Sequence, residues 1–500
     1  MLVTGQKSLY HHPPDTPIPL ASYQALLSLP VEHDWGDMLQ TTEKFLKGLV
    51  GEPHPPLFYI GQHLWLRWFG NSVGAMRSLP VLYSIGAIAC AVGLGRNLLG
   101  YRGGLFFAAL LSVSPFYLFH SLNVRMYCPL VFWTILSAWA IIELIYPHTS
   151  LRHRIFWSVI LVGAVAAGFM TFYYFAFWVM SLGILVLFCD RKYWWRYALL
   201  LGGGIILTTP WLLWGTRQQL NNADLGRFAT PSNLLITISK HTEGVLQTLG
   251  SQLVVGDWAN ILPAWGLIVA GVVAIALLLI SSLSLWQEER RWILPVVFIM
   301  GIVPLLLMLG VDIVTGKFTV GFGLGRSAIF ILPGCLLLIA AGIEQGKSKW
   351  RSVFASLLLI AYLSVSVGDF SLRSRWMFHQ IADIIEQESA QPSLIVMNSN
   401  AWGHVMRLAY YLPESSSVML LAQKSSKLTS ALNNALTSQT QYGSILWLDS
   451  DRPVWGSPTT EIQNREIEDM LATQFTLVQQ QRLLGTWQLD NFTARLYHHQ

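Results

Sequence analysis

Apolar residues run along this chain in blocks long enough to cross a bilayer, separated by short polar connectors, until the pattern changes near residue 370. A bilayer core needs about 20 apolar residues of helix. Runs that meet or approach this length fall near 73–95, 104–120, 126–146, 155–173, 174–189, 197–214, 260–285, 292–311, 327–343 and 350–367, which predicts ten spans. The 155–189 stretch is one continuous apolar run too long for a single helix, and it divides near TFYYFAFW. Beyond residue 370 the runs shorten. SLIVMN, SVMLLA, SILWLD, FTLVQQQRLL and FTARLYHH read as strands. RWMFHQIADIIEQ, HVMRLAYYL and SKLTSALNNAL carry helical spacing, and the alternation predicts a small α/β domain. The expected fold class is a polytopic α-helical membrane protein with a C-terminal soluble α/β domain. Its expected divisions are an outer loop with an interfacial helix at 1–72, a transmembrane domain at 73–368 and the α/β domain at 369–500.

Composition agrees with the pattern. The chain has 500 residues, 53% hydrophobic and only 12% charged, with a mean hydropathy of +0.47. A soluble globular protein carries about twice that charged fraction. The net charge of +5 is modest and implies no nucleic-acid partner. Cys90, Cys128, Cys189 and Cys335 each lie in or beside an apolar run with no metal-ligand spacing, so neither a zinc site nor a disulfide framework is expected.

Where the charges fall is more informative than their sum. The connectors GRNLLGYRGG, PHTSLRHR, CDRKYWWR, WQEERRW and EQGKSKWR are rich in Lys or Arg. The intervening set is HSLNVR, the segment from Gly215 to Asn260, and DIVTGKFTVGFGLGR. Alternating basic enrichment places the first set in the cytoplasm and the second on the outer, periplasmic or luminal, face. The expected location is the cell (inner) membrane, with the C-terminal domain on the outer face. Residues 1–72 also fall outside, yet MLVTGQKSLYHHPPDTPIP contains no signal-peptide core. The expectation is that the sequence begins late and a first transmembrane helix is missing.

Four polar clusters could carry chemistry. In EPHPPLFYIGQHLWLRWFG the prolines after His54 break a helix, and the segment that follows has the length and patterning of an interfacial helix. Arg77 stands at the outer mouth of the first span, Arg125 lies in HSLNVRMY, and Arg326 starts a later span. Each alone reads equally as a topological anchor or a snorkelling side chain. Together they put three guanidinium groups on the face where the positive-inside bias would not place them. Such a set suits an anionic headgroup, because guanidinium is planar, always charged and bidentate toward phosphate.

HPPLFYIGQHLWLRWFGNSVGAMRSLP followed by GRNLLGYRGGLFFAALLSVSPFYLFHSLNVRMY closely resembles the GT-C membrane glycosyltransferases, in particular the dolichyl-phosphate-mannose-protein-mannosyltransferase-like or ArnT-like proteins. The resemblance is strong over about residues 50–190 and weaker but collinear to about 345. It implies transfer of a sugar, hexosyl or pentosyl, from a polyprenyl-phosphate carrier to a glycan, lipid or protein acceptor on the outer face. It matches His54, Pro55 and Pro56 to the family's loop motif and Arg125 and Tyr127 to its RMY. It places Arg326 where relatives keep a basic residue toward the carrier phosphate, with Arg77 a further donor-phosphate candidate. Two departures stand out. The family's Asp-Glu pair, its expected base, is absent, and Asn123 stands where many relatives have an acid. The remaining base candidates are Asp15, Asp34, Asp37 and Glu52, each of which also reads as a solvated loop charge. Asp15 follows HHPP, a weak cation-binding pattern. No cofactor is called for; a divalent cation at the phosphate is compatible with the chemistry but has no visible ligand set. A lipid-linked-sugar flippase, which predicts broken helices and polar residues spread through the spans, and a catalytically inactive scaffold remain alternative readings.

Overall fold

The computed structural model describes residues 1–146, 150–222, 228, 233–287, 292–345, 348–373, 376–387, 392–412, 417–438, 442–454, 456–485 and 490–500. The centres of three basic connectors, 147–149, 288–291 and 346–347, lie outside the described residues, as do parts of the 215–260 segment and residue 375 of the expected helix RWMFHQIADIIEQ. The chain separates into two compact units, one of Leu49–Ser371 and one combining Met1–Gly48 with Leu372–Gln500.

The Leu49–Ser371 unit is helical. In chain order its main helices are α1 (Leu57–Phe69), α2 (Val73–Leu99), α3 (Tyr101–Val113), α4 (Pro115–Ser121), α5 (Tyr127–Ile145), α6 (Leu151–Thr171), α7 (Phe175–Cys189), α8 (Leu234–Gly250), α9 (Ala264–Trp286), α10 (Ile293–Gly301), α11 (Val303–Thr315), α12 (Leu332–Gln345) and α13 (Ser348–Leu372). Six helical segments among the described residues are long and apolar enough to cross a membrane, and the number rises to nine if each of three bent pairs is one span. Those pairs are α3 with α4, bent by 64°, Arg191–Ile206 with Thr209–Asn221, bent by 45°, and α10 with α11, bent by 42°. Every apolar run of the sequence falls on one of these segments or on α7, which is apolar but only 15 residues long. Length and composition make this a multi-pass membrane protein.

The bends have local causes. Ser114 caps α4, accepting from Tyr117 N–H at 3.5 Å, and Pro115 occupies its first turn. With no N–H to donate and a ring that clashes with the preceding turn, Pro115 stops α3 and restarts the chain in a new direction. Pro304 stands in the same place at the start of α11.

Packing inside the unit follows side-chain size and burial. A Cβ on Gly95 would fall 2.7 Å from Gly104 Cα, so only glycine lets α2 and α3 approach this closely. Leu332 to Gly342 of α12 are buried throughout, which makes α12 the central helix. By contrast α13 leaves Leu357, Ile360, Leu363 and Val367 exposed, an apolar surface suited to lipid. The buried carboxylate of Glu143, near the C-terminal end of α5, is satisfied by Asn97 Nδ2 at 2.7 Å and Trp139 Nε1 at 3.1 Å, with His153 Nε2 3.2 Å away.

The second unit is built on a six-stranded sheet of strands β1 (Ile18–Pro19), β2 (Ser393–Met397), β3 (Val418–Ala422), β4 (Ser444–Ser450), β5 (Phe475–Leu483) and β6 (Phe492–His499), in the order β1-β3-β2-β4-β6-β5. β2, β3 and β4 are parallel, and β1, β5 and β6 add antiparallel partners. Side chains alternate along each central strand. Ile395, Met397, Leu446 and Leu448 face one core with the helices Met377–Gln387 and Trp402–Tyr411, while Leu394, Val396, Ile445 and Trp447 face the other with Ser425–Thr437 and Glu461–Ala472. The five expected strands and three expected helices are all present. Helix Glu461–Ala472 goes beyond that reading, although its capping box of Thr460 and Gln463 is a local start signal.

The N-terminal segment also differs from the expected outer loop at 1–72, because the structure divides that loop. Leu20, Tyr23 and Leu26 lie in the core beside Ile381 and Leu420, and β1 extends the sheet through Ile18 and Pro19. Three buried apolar side chains outweigh the polar character of the surrounding residues. The remainder, from Leu49 onward, belongs to the helical unit. Replacing Leu20, 2% exposed, by Ala should destabilise the mixed unit by about 2–5 kcal/mol. Proteolysis of the full chain under rising denaturant, read on fragments from residues 377–500, measures this, and an unchanged midpoint would remove the N-terminus from the core.

Candidate functional site

The turn between α4 and α5 carries the HSLNVRMY residues. It is closed by backbone hydrogen bonds from Asn123 N–H to His120 O at 3.2 Å and from Arg125 N–H to Asn123 O at 2.7 Å. The same turn buries Met126 and Tyr127 and leaves the Arg125 side chain exposed. His120, at the end of α4, is 4% exposed. Its ring lies 4.6 Å from Phe116 and 4.6 Å from Tyr127, and its Nδ1 has no hydrogen-bond partner among the described residues. The charges of Arg326 and Arg125 both act on it. Arg125 and Arg326, far apart in the sequence, are thus both near enough to one buried imidazole for their charges to act on it.

A second set of contacts reaches the cluster from α1. The Tyr59 hydroxyl is 8% exposed, interacts with the Arg125 guanidinium by charge and hydrogen bonding, and feels Glu52 and Tyr127. Burial raises this hydroxyl well above its usual pKa, with Glu52 adding to the rise and Arg125 opposing it, so Tyr59 stays a neutral hydroxyl and accepts from the Arg125 guanidinium. Among the four acidic candidates Glu52 is the one whose charge reaches Tyr59, the partner of Arg125.

The loop that holds Glu52 is clamped by a residue the sequence did not single out. Gln219, 5% exposed, donates from Nε2 to Leu49 O at 2.9 Å and to His54 O at 3.0 Å. Its Oε1 accepts from Tyr173 hydroxyl at 2.5 Å, and Tyr173 in turn accepts from Trp211 Nε1 at 3.1 Å. The His54 ring stacks on Phe172 at 5.7 Å, and Pro55 and Pro56 are buried. The HPP motif is therefore a pinned corner whose carbonyls point at an amide. The one sequence signal for Gln219 is a polar side chain just past an apolar run, too common to select.

The other candidates lie elsewhere. Asp15 is exposed, 3.7 Å from Lys427, and Asp34 and Asp37 accept from the backbone N–H groups of Asp37 and His33 at 2.9 Å each. All three belong to the unit that includes the α/β sheet. Arg77 is exposed in the first turns of α2, and no contact joins it to the cluster among the described residues. Asp257, 5% exposed and accepting from Asn260 Nδ2 at 2.6 Å, is a buried acid that composition had hidden. Its neighbour Gly256, with φ +60°, runs so close to α4 that a Cβ would lie 2.6 Å from Pro115 Cβ. Among the described residues no group of three or more His, Cys, Asp or Glu is arranged to hold a metal ion, and the four cysteines are free.

No family model matches the chain, and no curated protein matches it. Among solved structures the chain is similar to ArnT from Cupriavidus metallidurans in the apo state, with 13% identity and a TM-score of 0.40 over 99% of this chain and 96% of that one. It is also similar to the same protein bound to undecaprenyl phosphate, with 14% identity and a TM-score of 0.39 over 89% of this chain and 88% of that one. A third likeness is to the Archaeoglobus fulgidus oligosaccharyltransferase in complex with zinc and sulfate, with 12% identity and a TM-score of 0.45 over 80% of this chain and 60% of that one.

Replacing Gln219 by Leu should remove the donor to the His54 carbonyl, a loss of about 1–3 kcal/mol for a group left buried and unsatisfied, while Leu49 O keeps Glu52 N–H at 3.0 Å and the Tyr173 hydroxyl keeps Trp211 and Thr216. Hydrogen exchange over residues 49–56 in the full chain should accelerate; unchanged protection there would show that Gln219 does not hold the loop.

Proposed function

We propose that this protein is a membrane glycosyltransferase that moves a sugar from a polyprenyl-phosphate donor to an acceptor on the outer face of the cell membrane. The observation that carries the reading is that the charges of Glu52 and Arg125 both act on the buried Tyr59 hydroxyl, and those of Arg125 and Arg326 on the buried His120, in a unit of apolar helices. The alternation of basic connectors supports the outer face, and the HPP and RMY resemblance supports the reaction class.

The chemistry follows from charge. Glu52 takes the proton of the acceptor nucleophile as that atom bonds to the anomeric carbon. The bond from the anomeric carbon to the phosphate oxygen breaks, and its electron pair stays on the polyprenyl phosphate. Arg125 and Arg326 face the negative charge that grows there, where low dielectric strengthens each interaction. Helix α1, exposing Leu64, Trp68 and Phe69, has the amphipathic form to lie among headgroups beside this site.

The transport reading has one observation in its favour, the three bent helix pairs, which resemble the broken helices of transporters. It gives no role to a carboxylate beside two guanidiniums. Release of free polyprenyl phosphate from a panel of polyprenyl-phosphate hexoses and pentoses, in the presence of membrane acceptors, separates the two. Glu52→Gln should lower turnover by about 10²–10⁴-fold. Arg125→Ala and Arg326→Ala should each lower it by about 10²–10³-fold. Movement of the intact donor across a vesicle wall without release would establish transport instead, and unchanged turnover in both arginine variants would end the phosphate assignment.

A further inference from the structure

The proposed chemistry leaves unused a carboxylate that is 2% exposed, Asp312, in the last turn of α11. It accepts three hydrogen bonds from the segment that leads to Arg326: Thr319 N–H at 2.7 Å, Thr319 Oγ1–H at 2.7 Å and Val320 N–H at 2.8 Å. That segment, GKFTVGFGLGR, has an unusual backbone. Gly316, Gly321, Gly323 and Gly325 have φ values of 62°, 86°, 63° and 86°. Leu324, at φ 55°, is the non-glycine residue with positive φ among those described. A left-handed leucine is strained and persists only where its surroundings over-determine it.

The surroundings here are specific. Besides Asp312, Ser327 Oγ donates to Thr319 O at 2.9 Å and Gln252 Nε2 donates to Gly325 O at 2.8 Å. Helix α8 closes on the segment so tightly that a Cβ on Gly321 would lie 2.6 Å from Gly244 Cα. Within this frame the Arg326 side chain folds back over Gly323, where any Cβ would collide with Arg326 Nε. The direction of the guanidinium is thus set by a loop that has no strand or helix ladder of its own. Asp312 contributes three of the hydrogen bonds that hold it.

We propose that Asp312 is a positioning residue that holds the Arg326 guanidinium where it can receive a phosphate monoester. The inference rests on the reading of Arg326 as phosphate-facing. Charge alone does not explain the need for Asp, because the geometry uses both carboxylate oxygens as acceptors. Asn keeps its oxygen for the Thr319 and Val320 N–H groups, but its NH2 can only donate, so the Thr319 hydroxyl must reverse from donor to acceptor and the charge-assisted character of all three bonds is lost. Glu would displace it by one methylene.

The test is binding of a polyprenyl monophosphate, and of the matching uncharged polyprenol, to the full chain in lipid nanodiscs. Asp312→Asn should weaken phosphate binding by about tenfold, and the same change in an Arg326→Ala background should have less than about a twofold effect, because the two act as one unit. Polyprenol binding should stay at the wild-type value, which a general loss of structure would not allow. Equal weakening for both lipids, or an undiminished effect in the Arg326→Ala background, would overturn the positioning role. So would wild-type phosphate binding by Asp312→Asn when Arg326→Ala is impaired. Wild-type phosphate binding by Arg326→Ala would instead remove the phosphate reading and the Asp312 proposal with it. Should Asp312→Asn fail to fold, Thr319→Val, which deletes one of the three hydrogen bonds, takes its place in the same cycle with an expected effect of about threefold.

Discussion

An ionised group in hydrocarbon is costly unless it is paired or reaches water, and the Leu49–Ser371 unit is arranged around that cost. Its charged side chains stand at helix ends or are satisfied where they are buried. Glu143 has Asn97 and Trp139 as donors, and Glu344 has Arg351 at 2.8 Å. Asp312 is buried only because three donors of one loop converge on it. The Arg125–Tyr59 pair and the Arg326 segment follow the same rule where the backbone leaves helix. The polar chemistry of this protein is located where the backbone leaves regular helix.

Leaving regular helix is itself encoded in a few residues. Pro115 and Pro304 stop helices that apolar composition would have continued, and the chain bends by 64° and 42° at these breaks. Glycine acts in the complementary way. At Gly256 and Gly321 the missing side chain lets a loop lie directly on a helix. The result is a set of short, rigid, non-ladder segments whose carbonyls and N–H groups are claimed by single side chains: Gln219 for the HPP corner, Gln252 and Asp312 for the segment before Arg326. Such side chains give irregular backbone one conformation, which a site needs if its charges are to be held rather than mobile.

The α/β unit obeys a different economy of forces. Its central strands alternate between two apolar cores, so its sheet needs helices on both faces. Residues 18–27 contribute to one of those cores although at least 350 positions separate them from Met377. This is why a reading by position along the chain assigned them to an outer loop. Short N-terminal runs such as PLASYQALLS have too few apolar residues to announce a partner, and burial depends on who that partner is.

The apolar runs were legible because membrane crossing demands length and composition, both of which are written locally; so were the five strands, through period-two alternation and short length. Among the candidate residues, Arg125, Tyr127, Arg326 and the HPP corner stood out in the sequence through motif and spacing. What the sequence could not say is which acid joins the arginines, because Asp15, Asp34, Asp37 and Glu52 are chemically alike. Nor could it reveal Gln219, whose partner Leu49 lies 170 residues away, or that Asp257 and Asp312 are buried with local partners 3 and 7 residues on, because burial depends on the elements packed around them. Sequence by itself determined the membrane class and the supply of charged groups, since each depends on near neighbours in the chain, whereas the bends within runs 104–120, 197–214 and 292–311 emerged only in the structure. Only the tertiary structure decided which charges meet, because a carboxylate and a guanidinium select one another by distance in space.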